Sequence, residues 1–73
     1  MPPVPILRPS EVIRGLEKFG WSVTRQSGSH IILTKAGQMA TLSVPNHATV
    51  ARGTLRTLLR AANISLDEFL RAI

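Results

Sequence analysis

The sequence predicts an α+β domain in which a three-stranded antiparallel sheet carries helices on one face, in the order α-β-β-β-α-α. Three observations lead there. Three short strand-like runs follow one another with only turn residues between them, the pattern of a meander. Helical apolar stripes stand before and after that block rather than between the strands. A chain of 73 residues, 44% apolar and without cysteine, has room for one thin core and no disulfide framework to support it.

Residues 1–9 read as an extended, proline-rich segment carrying Pro2, Pro3, Pro5 and Pro9, and residues 10–73 as the single domain. The segment is expected to find no partner for its backbone. From Ser10 to Phe19 the pattern is helical, with Val12, Ile13, Leu16 and Phe19 on one stripe. Ser10 suits the N-cap, Glu11 faces the positive end of the helix dipole, and Gly20 suits the stop. Gly15 weakens this helix.

Trp21 to Gln26 alternates apolar and polar residues. Ser27-Gly28-Ser29 is a turn, His30 to Thr34 a β-branched run, Lys35 to Gln38 a second turn, and Met39 to Val44 the third run. Pro45 ends it, having no amide to donate. After a loop from Asn46 to Gly53, a helix from Thr54 to Ala62 carries Leu55, Leu58, Leu59 and Ala62 on its apolar side. Asn63 suits a left-handed cap. Ser65 to Glu68 is a capping box opening a last helix with Leu66, Phe69, Leu70 and Ile73 on its apolar side.

Side-chain parity divides the sheet. Trp21, Val23, Leu42 and Val44 form the covered face, and Ile31 and Leu33 join them if the central strand follows its neighbours. The open face then reads Ser22, Thr24, Gln26, His30, Ile32, Thr34, Thr41 and Ser43.

A net charge of +5 and an isoelectric point near 11.6 point to an anionic partner: nucleic acid, an acidic protein or a membrane surface. A membrane span needs roughly 20 apolar residues, and the longest stretch free of charge, Ala36 to Ala51, is broken by Gly37, Pro45, Asn46 and His47. No signal peptide is visible, and a reducing compartment such as cytoplasm fits the absence of cysteine.

The residues exclude several chemistries. Two histidines without cysteine leave a zinc site short of ligands, and the carboxylates Glu11, Glu17, Asp67 and Glu68 all fall in helices. Ser29 and His30 are neighbours whose side chains diverge on a strand, and no strained nucleophile elbow is present. Aromatics, at 4%, give no stacking platform for single-stranded bases.

What remains is His30 as a proton-transfer group, because an imidazole can take up or give off a proton near neutral pH. RNA brings its own nucleophile, the 2′-hydroxyl, so a small basic domain needs only a base and a cation to cleave it. From spacing alone the commoner reading of His30 is a strand-starting polar residue without a task. Arg52, Arg56 and Arg60 share one side of their helix: a solvated face, or a stripe for phosphate. Gly53 and Thr54 offer free amides at the helix start. Arg25 and Lys35 flank the His30 hairpin with positive charge, and a lone loop histidine such as His47 is ordinarily a surface residue.

Three stretches, taken together, resemble the HicA toxin family of bacterial and archaeal toxin–antitoxin systems. They are Phe19-Gly20-Trp21; Gly28-Ser29-His30 with its apolar strand; and Val44-Pro45-Asn46-His47 followed by Arg52-Gly53-Thr54-Leu55-Arg56-Thr57-Leu58-Leu59-Arg60. The likeness runs from Ser10 to Leu70. It implies a double-stranded-RNA-binding-domain-like fold and a ribosome-independent mRNA endonuclease that needs neither metal nor cofactor and is neutralised by a HicB antitoxin. It places the catalytic role on His30 and matches His47 to a second recurring histidine. Arg25, Ser29, Lys35, Thr54 and Arg56 are the candidate RNA contacts on such a domain, and the free toxin is expected to be a monomer. Asn63 stands where the family often has glycine, and the proline-rich start is peculiar to this chain. Two rivals stay open: a non-catalytic RNA-binding module of the same fold, and a DNA-binding repressor, against which the strands between the helices count.

Overall fold

The computed structural model describes residues 3–73; Met1 and Pro2 of the N-terminal segment lie outside the described residues. The elements are α1 (Pro9–Glu17), β1 (Ser22–Ser27), β2 (His30–Thr34), β3 (Leu42–Pro45), α2 (Arg52–Ala62) and α3 (Leu66–Ala72). The sheet runs β1-β2-β3, antiparallel throughout. This is the expected α+β, double-stranded-RNA-binding-domain-like order.

The cap residues do their work with one change of position. Pro9 rather than Ser10 opens α1, because its missing N–H costs nothing in the first turn. Arg8 is the cap, and its backbone N–H donates to the Glu11 carboxylate at 2.9 Å. At the other end the Trp21 N–H donates to the Leu16 carbonyl at 3.3 Å around Gly20, whose φ is 95°. Asn63 takes the left-handed cap conformation at φ 60° and ψ 41°. Ser65 Oγ accepts from the Glu68 N–H at 3.1 Å, while Glu68 reaches back to the Ser65 N–H at 3.3 Å.

Helices cover one face of the sheet. Val12, Leu16, Leu55, Leu58, Leu59 and Phe69 pack with Trp21, Leu33, Leu42 and Val44 in a single core. The expected parity of β2 holds: Ile31 pairs with Val44 and Leu33 with Leu42, on the covered side. His30, Ile32 and Thr34 lie on the open side, where His30 pairs with Pro45 and Ile32 with Ser43.

The parity of β1 changes halfway along. Val23 pairs with Leu33, but Arg25 pairs with Ile32, so Thr24 is an extra residue in a β-bulge. Its hydroxyl donates to the Ile32 carbonyl at 3.1 Å. Past the bulge every side chain is on the face opposite to the one simple alternation gives. Gln26 pairs with Ile31 on the covered side, while Arg25 and Ser27 join the open one. The open face is therefore Ser22, Arg25, Ser27, His30, Ile32, Thr34, Ser43 and Pro45, without Thr24 or Gln26. Met39 to Thr41 are not strand: β2 finds its last β3 partner at Leu42, and Met39 is fully exposed.

The N-terminal segment is extended but docked, contrary to the expectation of an unpartnered backbone. Val4 is buried in the core and Leu7 packs against it. The Val50 N–H donates to the Leu7 carbonyl at 2.7 Å, and Arg52 Nε donates to the Val4 carbonyl at 2.8 Å. Prolines remove donors, yet the carbonyls and the aliphatic side chains between them remain to be satisfied.

Gly15 allows α1 and α3 to touch. A Cβ there would stand 2.5 Å from Phe69 Cε1 and 2.7 Å from Ile73 Cγ2. Lys18 Nζ also donates across this contact to the Ala72 carbonyl. Gly15→Ala therefore exchanges a helix-propensity gain of up to about 1 kcal/mol for overpacking of about 1–3 kcal/mol. Its melting temperature is expected below that of the parent; an unchanged or higher one contradicts the close packing. Deleting Thr24, in contrast, removes a residue that pairs with nothing. All five β1–β2 pairs are expected to survive, with the Arg25–Ile32 cross-strand Hα contact still visible by NMR. An unfolded deletion variant, or one in which that contact is lost, rules out the bulge.

Candidate nucleic-acid interface

His30 is the first residue of β2 and exposed. Its position follows from three local features. Gly28, at φ 59°, supplies the left-handed residue that the tight β1–β2 turn demands. Ser27 and Pro45 then hold His30 from both sides, each as its partner in a ladder. The Asn46 N–H donates to the Ser29 carbonyl at 2.6 Å and ties the end of β3 to the same turn.

The bulge brings Arg25 to this spot. Arg25 pairs with Ile32, so His30 is its diagonal neighbour, with Cα atoms roughly 7–8 Å apart and the side chains within reach. Arg25 is the one cation in the three strands, and no strand carries a carboxylate. Its charge is therefore unopposed on the open face. Among the described residues the single ion pair joins Arg8 to Glu11, on α1 and its cap.

Chain connectivity brings in the next group. His47 is two residues beyond Pro45, the partner of His30, so it lies at the same end of the sheet. The loop continues to α2, where the Leu55 N–H makes the first intrahelical bond, to the Ala51 carbonyl at 2.9 Å. The amides of Arg52, Gly53 and Thr54 precede that bond and open toward the loop. Ser29 contributes its carbonyl to the Asn46 bond, and its side chain is exposed.

Two candidates stand apart from this group. Lys35 follows the far end of β2, about 16 Å from His30 along the strand. Its side chain lies over Gly20, where a Cβ would be 3.1 Å from Lys35 Cε. Arg56 lines an open groove with Leu59, Arg60, Ile64 and Leu66, between α2 and the start of α3. The arginine stripe is also broken at Arg52, whose Nε is engaged by Val4.

Ser27 and Pro45 are neighbours of His30 that the sequence does not single out. Their signal is pairing register, which becomes readable only once β1 and β3 are aligned on β2. Three shallow grooves gather at the helices, and none of the three includes His30. His30 thus sits on an open, mildly basic sheet surface, a shape that receives an extended polymer better than a small molecule. No three of the His, Asp and Glu side chains among the described residues stand close enough to form a metal donor set, and no helix there is long and apolar enough to cross a membrane.

No curated protein matches the chain. Residues 9–64 match the family model described as "HicA toxin of bacterial toxin-antitoxin". That span contains α1, the whole sheet, the His30 turn, the His47 loop and α2. Most of the sequence and every element around His30 lie inside the match: this chain belongs to the HicA toxin family.

Proposed function

We propose that this toxin is a ribosome-independent endoribonuclease of mRNA that works without metal, with His30 as its proton-transfer residue. The observation that carries the reading is the bulge at Thr24, which sets the cation Arg25 beside His30 on the open face. The 2′-hydroxyl of the substrate attacks the adjacent phosphorus, and the bond to the 5′ oxygen of the next nucleotide breaks. The products are a 2′,3′-cyclic phosphate and a free 5′-hydroxyl. One proton must leave the attacking hydroxyl and one must reach the departing oxygen. His30 handles one of these transfers and water the other. Arg25 stabilises the charge that builds on the phosphoryl oxygens, assisted by Ser29 and the amides up to Thr54. His47 borders the same phosphate path. On this geometry Lys35 and Arg56 lie at its margins.

The test uses purified protein and a single-stranded RNA in excess chelator. Cleavage with cyclic-phosphate ends is expected, and His30→Ala should lose it by about a hundredfold or more while keeping its melting temperature and RNA affinity. A folded His30→Ala protein that still cleaves removes the catalytic assignment. If neither protein cleaves and both bind RNA, the non-catalytic RNA-binding module is the right reading.

Family membership brings an antitoxin as partner. We infer a HicB-like protein that covers His30 and presents carboxylates to Arg25, matching the net charge of +5. Association should then slow as salt rises. In the complex, hydrogen exchange over residues 28–34 should fall; neutralisation with that segment still exchanging as in the free toxin points to a remote mechanism.

A further inference from the structure

The loop that carries His47 is anchored at both ends, and the two anchors come from distant parts of the sequence. At its start the Asn46 N–H is held by the Ser29 carbonyl, next to His30, at 2.6 Å. At its finish the Val50 N–H is held by the Leu7 carbonyl at 2.7 Å. Leu7 and Val50 form an isolated bridge outside the sheet. Two residues on, Arg52 Nε reaches back to the Val4 carbonyl at 2.8 Å. Val4 and Val50 are both buried in the core. Between the anchored amides only His47, Ala48 and Thr49 remain, all exposed.

The geometry points to the N-terminal arm, residues 3–8, as a strap that positions the His47 loop and the start of α2 against the His30 turn, with Arg52 and Val4 as its positioning residues. The arm lies outside the stretch matching the family, which begins at residue 9. Its chemistry suits a strap. Pro3 and Pro5 restrict the backbone around Val4, so less conformational entropy is lost when the segment docks. Arg52 spends its Nε on a carbonyl, which makes it a brace first and a phosphate ligand second. A shift of about 1 Å in a positioning element is enough to change a rate about a hundredfold.

The proposal rests on the endoribonuclease reading only through its kinetic readout. Deleting Pro2–Ile6 removes no charge, so electrostatic attraction of RNA is left as it was. The telling amide is Asn46, which is bonded to Ser29 and not to the arm. In the deletion variant its hydrogen exchange is expected to rise at least about tenfold together with that of Val50, while Phe69 and Leu33 stay protected. On RNA, kcat should fall about tenfold with KM unchanged. Arg52→Ala should reproduce the rise in Asn46 exchange and the fall in kcat, and the two changes together should do no more to either than one alone. Gly15→Ala, which crowds the contact between α1 and α3, should leave Asn46 exchange and kcat near those of the parent.

If Val50 alone loosens and Asn46 does not, the strap is wrong, whether or not the protein cleaves RNA. A rise in KM without a change in kcat also overturns it and makes the arm a direct RNA contact. A parent protein without nuclease activity overturns the functional reading instead, and the Asn46 exchange still decides the strap. If the deletion variant fails to fold, Arg52→Ala, which leaves no core cavity, gives the same decision.

Discussion

β2 is hydrogen-bonded on both sides, to β1 and to β3, and this double pairing fixes where every side chain around His30 stands. A residue at the end of an edge strand would fray. His30 instead has Ser27 across one ladder and Pro45 across the other, and the Asn46–Ser29 bond closes the same corner. The covered face follows from the same register. Ile31 and Leu33 must meet Val44 and Leu42, because a slip of one residue would turn the core strand's leucine to water. Register thus serves the core and the site at once: burying Leu33 puts His30 on the open side.

The bulge supplies what alternation cannot. In a regular β1, Arg25 would lie on the face opposite His30. One extra residue at Thr24, secured by its hydroxyl on Ile32, turns Arg25 outward and Gln26 inward. Gln26 tolerates this because β1 is an edge strand and stays exposed on both sides. The result is a cation on a surface with no carboxylate among the strands. The acidic residues stay on the helices, where Glu11 and Glu68 complete helix starts. The helices also carry Arg14, Arg52, Arg56, Arg60 and Arg71, so cations stand on both layers and carboxylates on the helical one alone.

Much of this was legible in the sequence, for reasons that can be named. The element order follows from apolar periodicity, which switches from helical to alternating at Trp21 and back after Pro45. Asn63 and the Ser65–Glu68 box declare themselves because their cap chemistry is local. The parity of β2 was readable because Ile31 and Leu33 had to match Leu42 and Val44. The bulge was not, since nothing in Ser22 to Ser27 marks an unpaired threonine. Nor was the docking of the arm, since prolines suppress the donor pattern while Val4 and Leu7 act through side chains and carbonyls. His30 was visible as a residue and through its family resemblance, but its company was not: Arg25 joins it through the bulge, and Lys35 is carried off to the far end of the strand.

The central claim is that RNA lies across the open face at His30. Amide and side-chain NMR of the labelled toxin, titrated with an RNA oligonucleotide methylated at its 2′ oxygens so that it cannot be cut, reads this directly. Shifts are expected to cluster at Arg25, Ser27, Ser29, His30 and the loop through Thr54, leaving Leu59, Ile64 and Leu66 unmoved. A cluster centred on the Arg56–Arg60 groove, with His30 silent, contradicts the account and moves the interface to the helical side.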